Sequence, residues 1–261
     1  MYADTASRTP GEGVARSIAV SGPLTRLGVP RLWDNAPELL WRRVLVPVVA
    51  PVVRVLAPSY AYGVDRLPAT GGAVLAANHL SAIDHPLLGL FSRRTIYFVS
   101  KQELLEIPVV GEAFGWAGVF PVRRGEADRD ALRRACALVR EGHVVGVHPE
   151  GTRQRTGHPG PMKGGAVAIA LLGGVSVVPC GLETFRWSLR NRRACAVVFG
   201  DPIGFDDIPR GPARRATALA RVERGIVRLW RAAAEAVAAG FPEHLPDGTP
   251  RSGPLRPSER R

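Results

Sequence analysis

The central part of the chain consists of short apolar runs that alternate with amphipathic segments. Uninterrupted Val, Ala and Ile character predicts buried strands at 73–77, 96–99, 119–122, 144–147, 175–178 and 194–199. Helical periodicity predicts helices at 128–141 and 166–172, and another helix that begins between Ser81 and Asp84. Strands that alternate with helices and are buried on both faces predict an α/β fold: a single domain with a largely parallel, mixed sheet flanked by helices.

A long amphipathic helix is predicted at about 212–240. Its apolar positions lie three or four residues apart: Leu219, Val222, Ile226, Leu229 and Ala233. The opposite face carries several arginines. We expect the apolar stripe to cap the core of the domain. Contact of the arginine face with anionic lipid is the alternative.

The two ends of the chain differ in composition from its centre. Residues 1–35 are rich in Gly, Pro, Ser and Thr without sustained periodicity, and residues 241–261 are rich in Pro, Arg and Ser. We therefore expect a disordered or loosely packed N-terminal arm at 1–35 and a disordered basic tail at 241–261. Between them lie an interfacial helical segment at 36–60 and the main domain at 61–240.

The predicted interfacial segment contains an apolar stretch at 39–56, with Trp41, Arg42, Arg43 and Arg54 in or beside it. Trp and Arg next to aliphatic residues favour a membrane interface, whereas packing of this stretch on the domain's own core is an equal alternative. No run of residues reads convincingly as a membrane span. We therefore expect a peripheral protein on the cytoplasmic face of the cell membrane.

The composition of the chain favours anionic partners. The net charge is +12, and Lys101 and Lys163 are the only lysines, so arginine supplies almost all of the positive charge. Anionic membrane and phosphorylated substrates fit this charge. Nucleic acid is not expected, because the aromatic residues do not alternate with the arginines as a base-stacking surface requires. The cysteines, Cys136, Cys180 and Cys195, form neither a disulfide framework nor a zinc pattern.

The pair most suited to acid–base chemistry is His79 and Asp84, which follow the predicted strand 73–77 directly. An imidazole can accept a proton near neutral pH, and a nearby carboxylate can select its tautomer and stabilise its charged form. A spacing of five residues does not place both side chains on one helical face. The turn between them must therefore bend to bring them together.

Cationic residues follow other predicted strands. Arg153 ends the run 148–153, Arg123 and Arg124 follow 119–122, and Lys101 follows 96–99. Within 148–153, Gly151 permits a positive φ or a close backbone approach, and the guanidinium fork of Arg153 suits phosphate. An ordinary surface turn is the alternative for each segment. If the strands are parallel, these residues share one edge of the sheet with His79.

Four blocks of the chain, taken in order, resemble the glycerolipid acyltransferases typified by bacterial lysophosphatidate acyltransferase. The blocks are 78–84 (NHLSAID), 118–125 (GVFPVRRG), 149–153 (PEGTR) and 177–179 (VVP). The resemblance covers about 62–202. It implies that His79 is the general base that deprotonates the acceptor hydroxyl, and that Asp84 orients this histidine.

The resemblance also implies the substrates and their binding residues. An alkoxide attacks the thioester of acyl-CoA or acyl carrier protein, with no cofactor, metal or serine nucleophile, so Ser81 is expected to be a cap. The acceptor is expected to be a lysophospholipid, most simply 1-acyl-sn-glycerol-3-phosphate, which would give phosphatidic acid. The residues implied to bind its phosphate or to shape that pocket are Lys101, Arg124, Glu150, Gly151, Thr152 and Arg153.

Two positions depart from the family pattern. Arg123 stands where the family often has Asp, and His148 stands where an apolar or aromatic residue is usual. These departures leave open another acceptor, such as glycerol phosphate, a glycolipid or an amino-acid lipid. A non-catalytic basic module that binds membrane or nucleic acid is the remaining alternative.

Overall fold

The computed structural model describes residues 46–101, 120–122 and 129–252. The helices are α1 (Val46–Leu56), α2 (Asp84–Phe91), α3 (Arg129–Arg140), α4 (Gly165–Gly173) and α5 (Arg214–Ala238), with a short 3₁₀ helix at Val64–Arg66. The strands are β1 (Ser59–Tyr62), β2 (Ala73–Ala77), β3 (Ile96–Lys101), β4 (Phe120–Val122), β5 (Val144–Val147), β6 (Val177–Glu183), β7 (Cys195–Phe199) and β8 (Arg251–Ser252).

The strands form one sheet in the order β4-β3-β5-β2-β6-β7-β1-β8. Strands β4, β3, β5, β2 and β6 pair in parallel. Strand β7 runs antiparallel to β6, β1 is parallel to β7, and β8 is antiparallel to β1. The predicted single domain with a largely parallel, mixed sheet is confirmed.

The central strand β2 divides the core into two layers. All five of its residues are buried, and they alternate between the two faces because side chains along a strand point to opposite sides. Leu75 packs in a cluster with residues of α1 and α2, whereas Val74 packs in a cluster with residues of α3, α4 and α5. An apolar strand without polar alternation is therefore the sequence signature of a sheet covered on both faces.

Helix α5 lies directly against β6. Its buried stripe agrees with the predicted spacing and includes Val222, Ile226 and Leu229. The contact with β6 is so close that a Cβ atom on Gly181 would lie 2.1 Å from the backbone carbon of Leu229. Glycine is therefore required at this position of β6 to let the helix backbone approach the sheet.

Three expectations from the sequence need correction. Strand β1 begins at Ser59, inside the segment expected to be interfacial and helical. Strand β6 was expected to end before Pro179 but continues to Glu183, because Pro179 precedes the antiparallel ladder that starts at Cys180. The tail was expected to be disordered from residue 241, but 241–252 folds onto the domain.

The folded part of the tail is held by both polar and apolar contacts. Strand β8 pairs with β1, the Tyr62 hydroxyl donates to the carbonyl of Pro242 at 2.9 Å, and Leu245 is buried. The sequence signal was weak because the pairing is long-range and only two residues long. Residues 253–261 lie outside the described part of the chain.

The N-terminal expectations are tested only from residue 46 onwards, since 1–45 lies outside the described residues. Helix α1 continues through Pro51 to Leu56. It buries Ala50 and Val53 against the core and exposes Val52 and Val55. Among the described residues, no helix has both the length and the apolar character needed to cross a membrane.

The contact between α5 and β6 generates a stability prediction. Gly181→Ala places a methyl group within 2.4 Å of backbone atoms of Leu229 and Trp230, so the helix must shift away from the sheet. We expect the free energy of unfolding, measured in urea, to fall by about 1–3 kcal/mol or more. Gly165→Ala is the matched control, because nothing lies within 4 Å of its added methyl. Equal stability of the two variants would contradict the tight contact.

Candidate active site at the carboxyl edge of the sheet

The candidate base His79 and its partner Asp84 are joined by a hydrogen bond. Strand β2 ends at Ala77, the chain turns, and α2 begins at Asp84. Nδ1 of His79 lies 2.8 Å from Oδ2 of Asp84. The turn therefore bends as the five-residue spacing requires, and it brings the two predicted catalytic side chains together.

The carboxylate of Asp84 is fully buried and accepts several further hydrogen bonds. Its Oδ2 accepts from the backbone N–H groups of Leu80 at 2.8 Å and Ser81 at 3.0 Å. Its Oδ1 accepts from the hydroxyls of Ser81 at 3.1 Å and Thr184 at 2.5 Å. Ser81 thus binds the carboxylate and does not cap α2, whose first turn has no side-chain cap.

These donors determine the charge of Asp84. Burial alone would raise its pKa, but the hydrogen bond from His79, the nearby imidazole of His148 and the Thr184 hydroxyl together hold the pKa below its ordinary value. Asp84 is therefore ionised at neutral pH. An ionised acceptor keeps the proton of His79 on Nδ1 and leaves the lone pair on Nε2.

Asn78 and Gln154 fix the backbone on either side of His79. The Asn78 amide donates to the carbonyl of Leu182 at 2.9 Å, and its oxygen accepts the Leu182 N–H at 2.8 Å. The carbonyl of His79 accepts the N–H of Gln154 at 2.8 Å. The candidate base is consequently held between the end of β6 and the loop after β5.

The rings of two further histidines, His85 and His148, contact the ring of His79. The His148 ring stacks on the His79 ring at 4.2 Å between centroids, and the His85 ring contacts both edge to face. Nδ1 of His148 lies 2.9 Å and 3.1 Å from the carbonyl oxygens of Ala77 and Asn78. His148 thus fastens the end of β2 while its ring covers the candidate base.

Both His85 and His148 are neutral at physiological pH. Burial and, after it, the neighbouring His79 lower the pKa of His148 to about 4. Burial, followed by the influence of His148 and His79, likewise holds the pKa of His85 well below its ordinary value. Neutral rings beside His79 avoid a fixed positive charge that would oppose its protonation.

The three imidazoles carry ring nitrogens that lie within 4.8 Å of one another, a spacing that metal ligands can have. The His79 and His148 planes are only 15° apart. Because the lone pair of an imidazole nitrogen lies in the ring plane, nearly parallel stacked rings cannot both direct a lone pair at one ion. This arrangement favours a proton-transfer site over a metal centre.

The loop after β5 carries the predicted residues Glu150, Gly151, Thr152 and Arg153. Gly151 has φ 73°, in the left-handed region that glycine tolerates, and a Cβ there would lie 3.3 Å from Nζ of Lys163. Thr152 and Arg153 are exposed. Lys163 is a nearby cation that the sequence pattern did not identify, because its proximity depends on the fold of the loop.

Glu150 is buried, and one of its carboxylate oxygens accepts the N–H of His79 at 3.4 Å. The other oxygen, Oε2, has no hydrogen-bond partner among the described residues. Burial raises the pKa of Glu150 to about 7, and the hydrogen bonds it accepts only partly offset this effect. Glu150 is therefore a weakly acidic group beside the backbone of the candidate base.

The other predicted binding residues are only partly described. Lys101 is the last residue of β3, so its backbone lies at the same sheet edge as the end of β2, but its side chain lies outside the described part. Arg124 also lies outside the described residues. The carboxyl ends of β4, β3, β5, β2 and β6 follow one another along this edge, as expected for parallel strands.

A cavity of about 300 Å³ adjoins the turn after β2. We call it the β6-side pocket. It is lined by Leu80, Ser81, Ala82, Arg153, Gln154, Arg155, Phe185, Arg186 and Trp187. Of these residues, the site predicted from sequence included only Arg153. A larger groove of about 760 Å³ runs along α5 and shares no lining residue with the β6-side pocket.

The sequence also missed Thr184 and His85. Thr184 reaches Asp84 across 100 positions of the chain, so no local pattern could reveal the contact. His85 follows Asp84 directly, and a second histidine beside the motif was a usable signal.

Known proteins share this sequence pattern and fold. The acyltransferase family model matches residues 60–183. A chloroplastic 1-acyl-sn-glycerol-3-phosphate acyltransferase from Brassica napus is 40% identical over 124 residues, which cover 46% of this chain and 36% of the relative. A 1-acyl-sn-glycerol-3-phosphate acyltransferase from Bacillus subtilis is 29% identical over 156 residues, which cover 59% of this chain and 77% of the relative.

Among solved structures, the 1-acyl-sn-glycerophosphate (LPA) acyltransferase PlsC from Thermotoga maritima superimposes with a TM-score of 0.57 at 22% identity. The superposition covers 79% of this chain and 86% of that chain, and it shows a common fold. The chain spans about a third of the length of the Brassica relative, with 36% of it matched. The matched segment contains the His79–Asp84 turn and the loop 150–153. The chain therefore matches the acyltransferase family model over residues 60–183 and shares its fold with the solved Thermotoga acyltransferase.

Proposed function

We propose that the protein transfers a fatty acyl chain from acyl-CoA or acyl carrier protein to the hydroxyl of a lysophospholipid, with 1-acyl-sn-glycerol-3-phosphate as acceptor and phosphatidic acid as product. The observation that carries the proposal is the 2.8 Å contact between His79 and the fully buried Asp84. The 1-acyl-sn-glycerol-3-phosphate acyltransferases among its relatives support the choice of acceptor.

The proposed reaction uses Nε2 of His79 as the base. It removes the proton of the acceptor hydroxyl while the hydroxyl oxygen attacks the thioester carbonyl. The resulting tetrahedral intermediate collapses to the ester and expels the thiolate, which takes the proton back from the imidazolium. Asp84 stabilises the imidazolium in both steps. This sequence of steps balances without a cofactor, a metal or a serine nucleophile.

The acceptor's phosphate is proposed to bind Lys101, Arg124 and Arg153. A lysophospholipid carries its hydroxyl and its phosphate only a few bonds apart, so anchoring the phosphate orients the hydroxyl towards the base. The position of Lys101 and Arg153 at the sheet edge that carries His79 supports this role. A protonated Glu150 in the same loop would avoid repulsion of the phosphate.

The protein is proposed to bind the cytoplasmic face of the cell membrane through α1 and the loop that follows β6. Val52 and Val55 are 55% and 62% exposed on α1, and Leu189 is 63% exposed in the loop. The Trp187 indole joins the two elements, because it donates to the carbonyl of Leu56 at 2.9 Å. Exposed Arg190 and Arg192 in the same loop favour an anionic surface.

The identity of the acceptor is tested by lipid mass spectrometry of reactions with a panel of lyso-acceptors and one acyl-CoA. The panel contains 1-acyl-sn-glycerol-3-phosphate, glycerol 3-phosphate, a glycolipid and an amino-acid lipid. Fastest turnover of 1-acyl-sn-glycerol-3-phosphate is expected. Preference for another acceptor would reject this substrate and retain the reaction type, and absence of acyl transfer to every acceptor would reject the enzyme.

The role of His79 predicts the effect of its removal. His79→Ala should lower kcat by roughly 100-fold or more, since general-base catalysis contributes about 10²–10⁴. The matched control is His244→Ala, which removes an exposed imidazole from the C-terminal segment. Circular dichroism should show that both variants are folded. Near wild-type turnover of folded His79→Ala would reject the assignment.

The role of Arg153 predicts a selective effect on the acceptor. Arg153→Ala should raise the apparent KM for a phosphate-bearing acceptor and lower kcat, with little change in the apparent KM for the acyl donor. Arg153→Lys should restore activity only partly, because a point charge replaces a bidentate fork. Arg215→Ala, at an exposed arginine of α5, is the control. An effect confined to the acyl donor would move Arg153 to the donor's phosphates.

The raised pKa of Glu150 predicts a pH dependence of stability. Its ordinary pKa is 4.5 and its folded pKa is about 7, so the folded protein retains a proton that the unfolded chain releases in this window. Relative to Glu150→Gln, the wild type should lose on the order of 2–3 kcal/mol of unfolding free energy as the pH rises from about 4.5 to 7, with a plateau above. Urea titrations measure this difference, with exposed Glu141→Gln as control. A pH-independent difference would contradict the raised pKa.

The proposed membrane surface predicts a selective loss of vesicle binding. The double variant Val52→Asp/Val55→Asp should float with anionic liposomes several-fold less than the wild type. The substitutions remove apolar area and add negative charge that anionic lipid repels. Leu172→Asp is the matched control, since Leu172 is also 55% exposed but lies on α4. Equal flotation of both variants would reject this surface.

A further inference from the structure

The order of the strands gives the His79 turn two separate flanks. Strand β2 lies between β5 and β6 in the sheet. On the β5 side lie the ends of β3 and β4, which carry Lys101 and lead to Arg124, the residues proposed for the acceptor. On the other side, the end of β6 leads to Phe185, Arg186 and Trp187, which line the β6-side pocket. A two-substrate transferase needs a second binding region, and this flank is available for it.

The β6-side pocket is strongly cationic. Arg153, Arg155 and Arg186 line it and are exposed. Within the described part of the chain, none of their guanidinium groups forms a hydrogen bond or an ion pair with another residue. Apart from Arg153, which is proposed for the acceptor, Arg155 and Arg186 are two forked cations without an acidic partner there, and they suit a ligand with several phosphate oxygens.

The aromatic wall of the pocket is held in place by contacts on both sides. A Cβ on Gly157 would lie 2.8 Å from the Phe185 ring, so this ring packs directly on the loop after β5. The Trp187 indole is fixed by its hydrogen bond to Leu56. The Arg186 guanidinium lies 5.2 Å from the centroid of Phe185. Flat aromatic and guanidinium surfaces next to each other suit a ligand with a planar ring.

The backbone of Arg186, which lines the pocket, is held in a strained conformation. Its φ of 58° lies in the left-handed region, which is unfavourable for any residue that carries a Cβ atom. The Asn191 amide holds this conformation through a hydrogen bond to the Arg186 carbonyl at 2.5 Å. The neighbouring loop therefore maintains a conformation that sets Arg186 among the lining residues.

The position of the pocket distinguishes between two sources of phosphate. Leu80, Ser81 and Ala82 form part of its wall, but His79 does not line it. The phosphate of a lysophospholipid must lie within a few bonds of the reacting hydroxyl, whereas the pantetheine arm of coenzyme A separates the thioester from its phosphates. A phosphate site beside the turn but not at the base therefore suits the donor.

We propose that the β6-side pocket binds the nucleotide of an acyl-CoA donor, with Arg155 and Arg186 on its phosphates and the adenine against the aromatic wall. The inference rests on the proposed function and specifies its donor as acyl-CoA. Arg153 lies where the loop after β5 meets the pocket, and it remains assigned to the phosphate of the acceptor.

The direct test is binding of adenosine 3′,5′-bisphosphate to the purified full chain by calorimetry, which requires no turnover. Arg155→Gln and Arg186→Gln should each weaken binding by about tenfold, as expected for loss of a charged hydrogen bond. Glutamine preserves the Cβ atom and most of the side-chain length at the strained position. Arg193→Gln is the matched control, because Arg193 is exposed in the same loop but does not line the pocket. If Arg155→Gln and Arg186→Gln both bind adenosine 3′,5′-bisphosphate as tightly as the wild type does, the proposal is overturned.

The kinetic test separates the sources of phosphate. The same variants should raise the apparent KM for acyl-CoA about tenfold and leave the apparent KM for the acceptor unchanged. With S-acyl-pantetheine, which lacks phosphate and nucleotide, the variants and the wild type should react equally. A rise confined to the acceptor's KM would assign the pocket to the acceptor and overturn the donor site.

The two experiments also separate this inference from the proposed function. Loss of nucleotide binding in the variants, without acyl transfer by the wild type to any acceptor, would retain the nucleotide site and reject the transferase. Acyl transfer that is unaffected by both variants would retain the transferase and overturn the nucleotide site.

Discussion

The buried carboxylate of Asp84 is the interaction on which the rest of the site depends. An ionised group without exposure to water is stable only if donors surround it, and here they come from the turn, from His79 and from Thr184 at the end of β6. The same hydrogen bonds that compensate for burial also join β2, α2 and β6. The ionised state of Asp84, the shape of the turn and the orientation of His79 therefore all follow from the need to surround this carboxylate with hydrogen-bond donors.

The parallel block of the sheet places the two binding regions proposed for the substrates on either side of one turn. Parallel strands deliver their carboxyl ends to one edge, so residues far apart in the chain become neighbours of His79. The loop after β5 and the end of β6 hold the histidine from opposite sides through Gln154 and Asn78. In this account, the same division gives one flank to the acceptor's phosphate and the other to the donor.

Much of this arrangement could be predicted from local patterns. The apolar run of β2 predicted a strand buried on both faces, and the five-residue spacing of His79 and Asp84 required the bend that the structure contains. The β8 pairing and the contact of Thr184 with Asp84 could not be predicted, because both join distant parts of the chain and neither leaves a periodic pattern. Arg186 lies in the arginine-rich segment 186–193, and only the fold shows that it lines a pocket.

We propose that His79 and Asp84 act as one unit in acyl transfer. A double-mutant cycle tests it most directly, with formation of phosphatidic acid from 1-acyl-sn-glycerol-3-phosphate and acyl-CoA measured by mass spectrometry for the wild type, His79→Ala, Asp84→Asn and the double variant. If Asp84 acts through His79, each single substitution is damaging and the double variant is no slower than His79→Ala. Independent losses that multiply in the double variant would contradict the account.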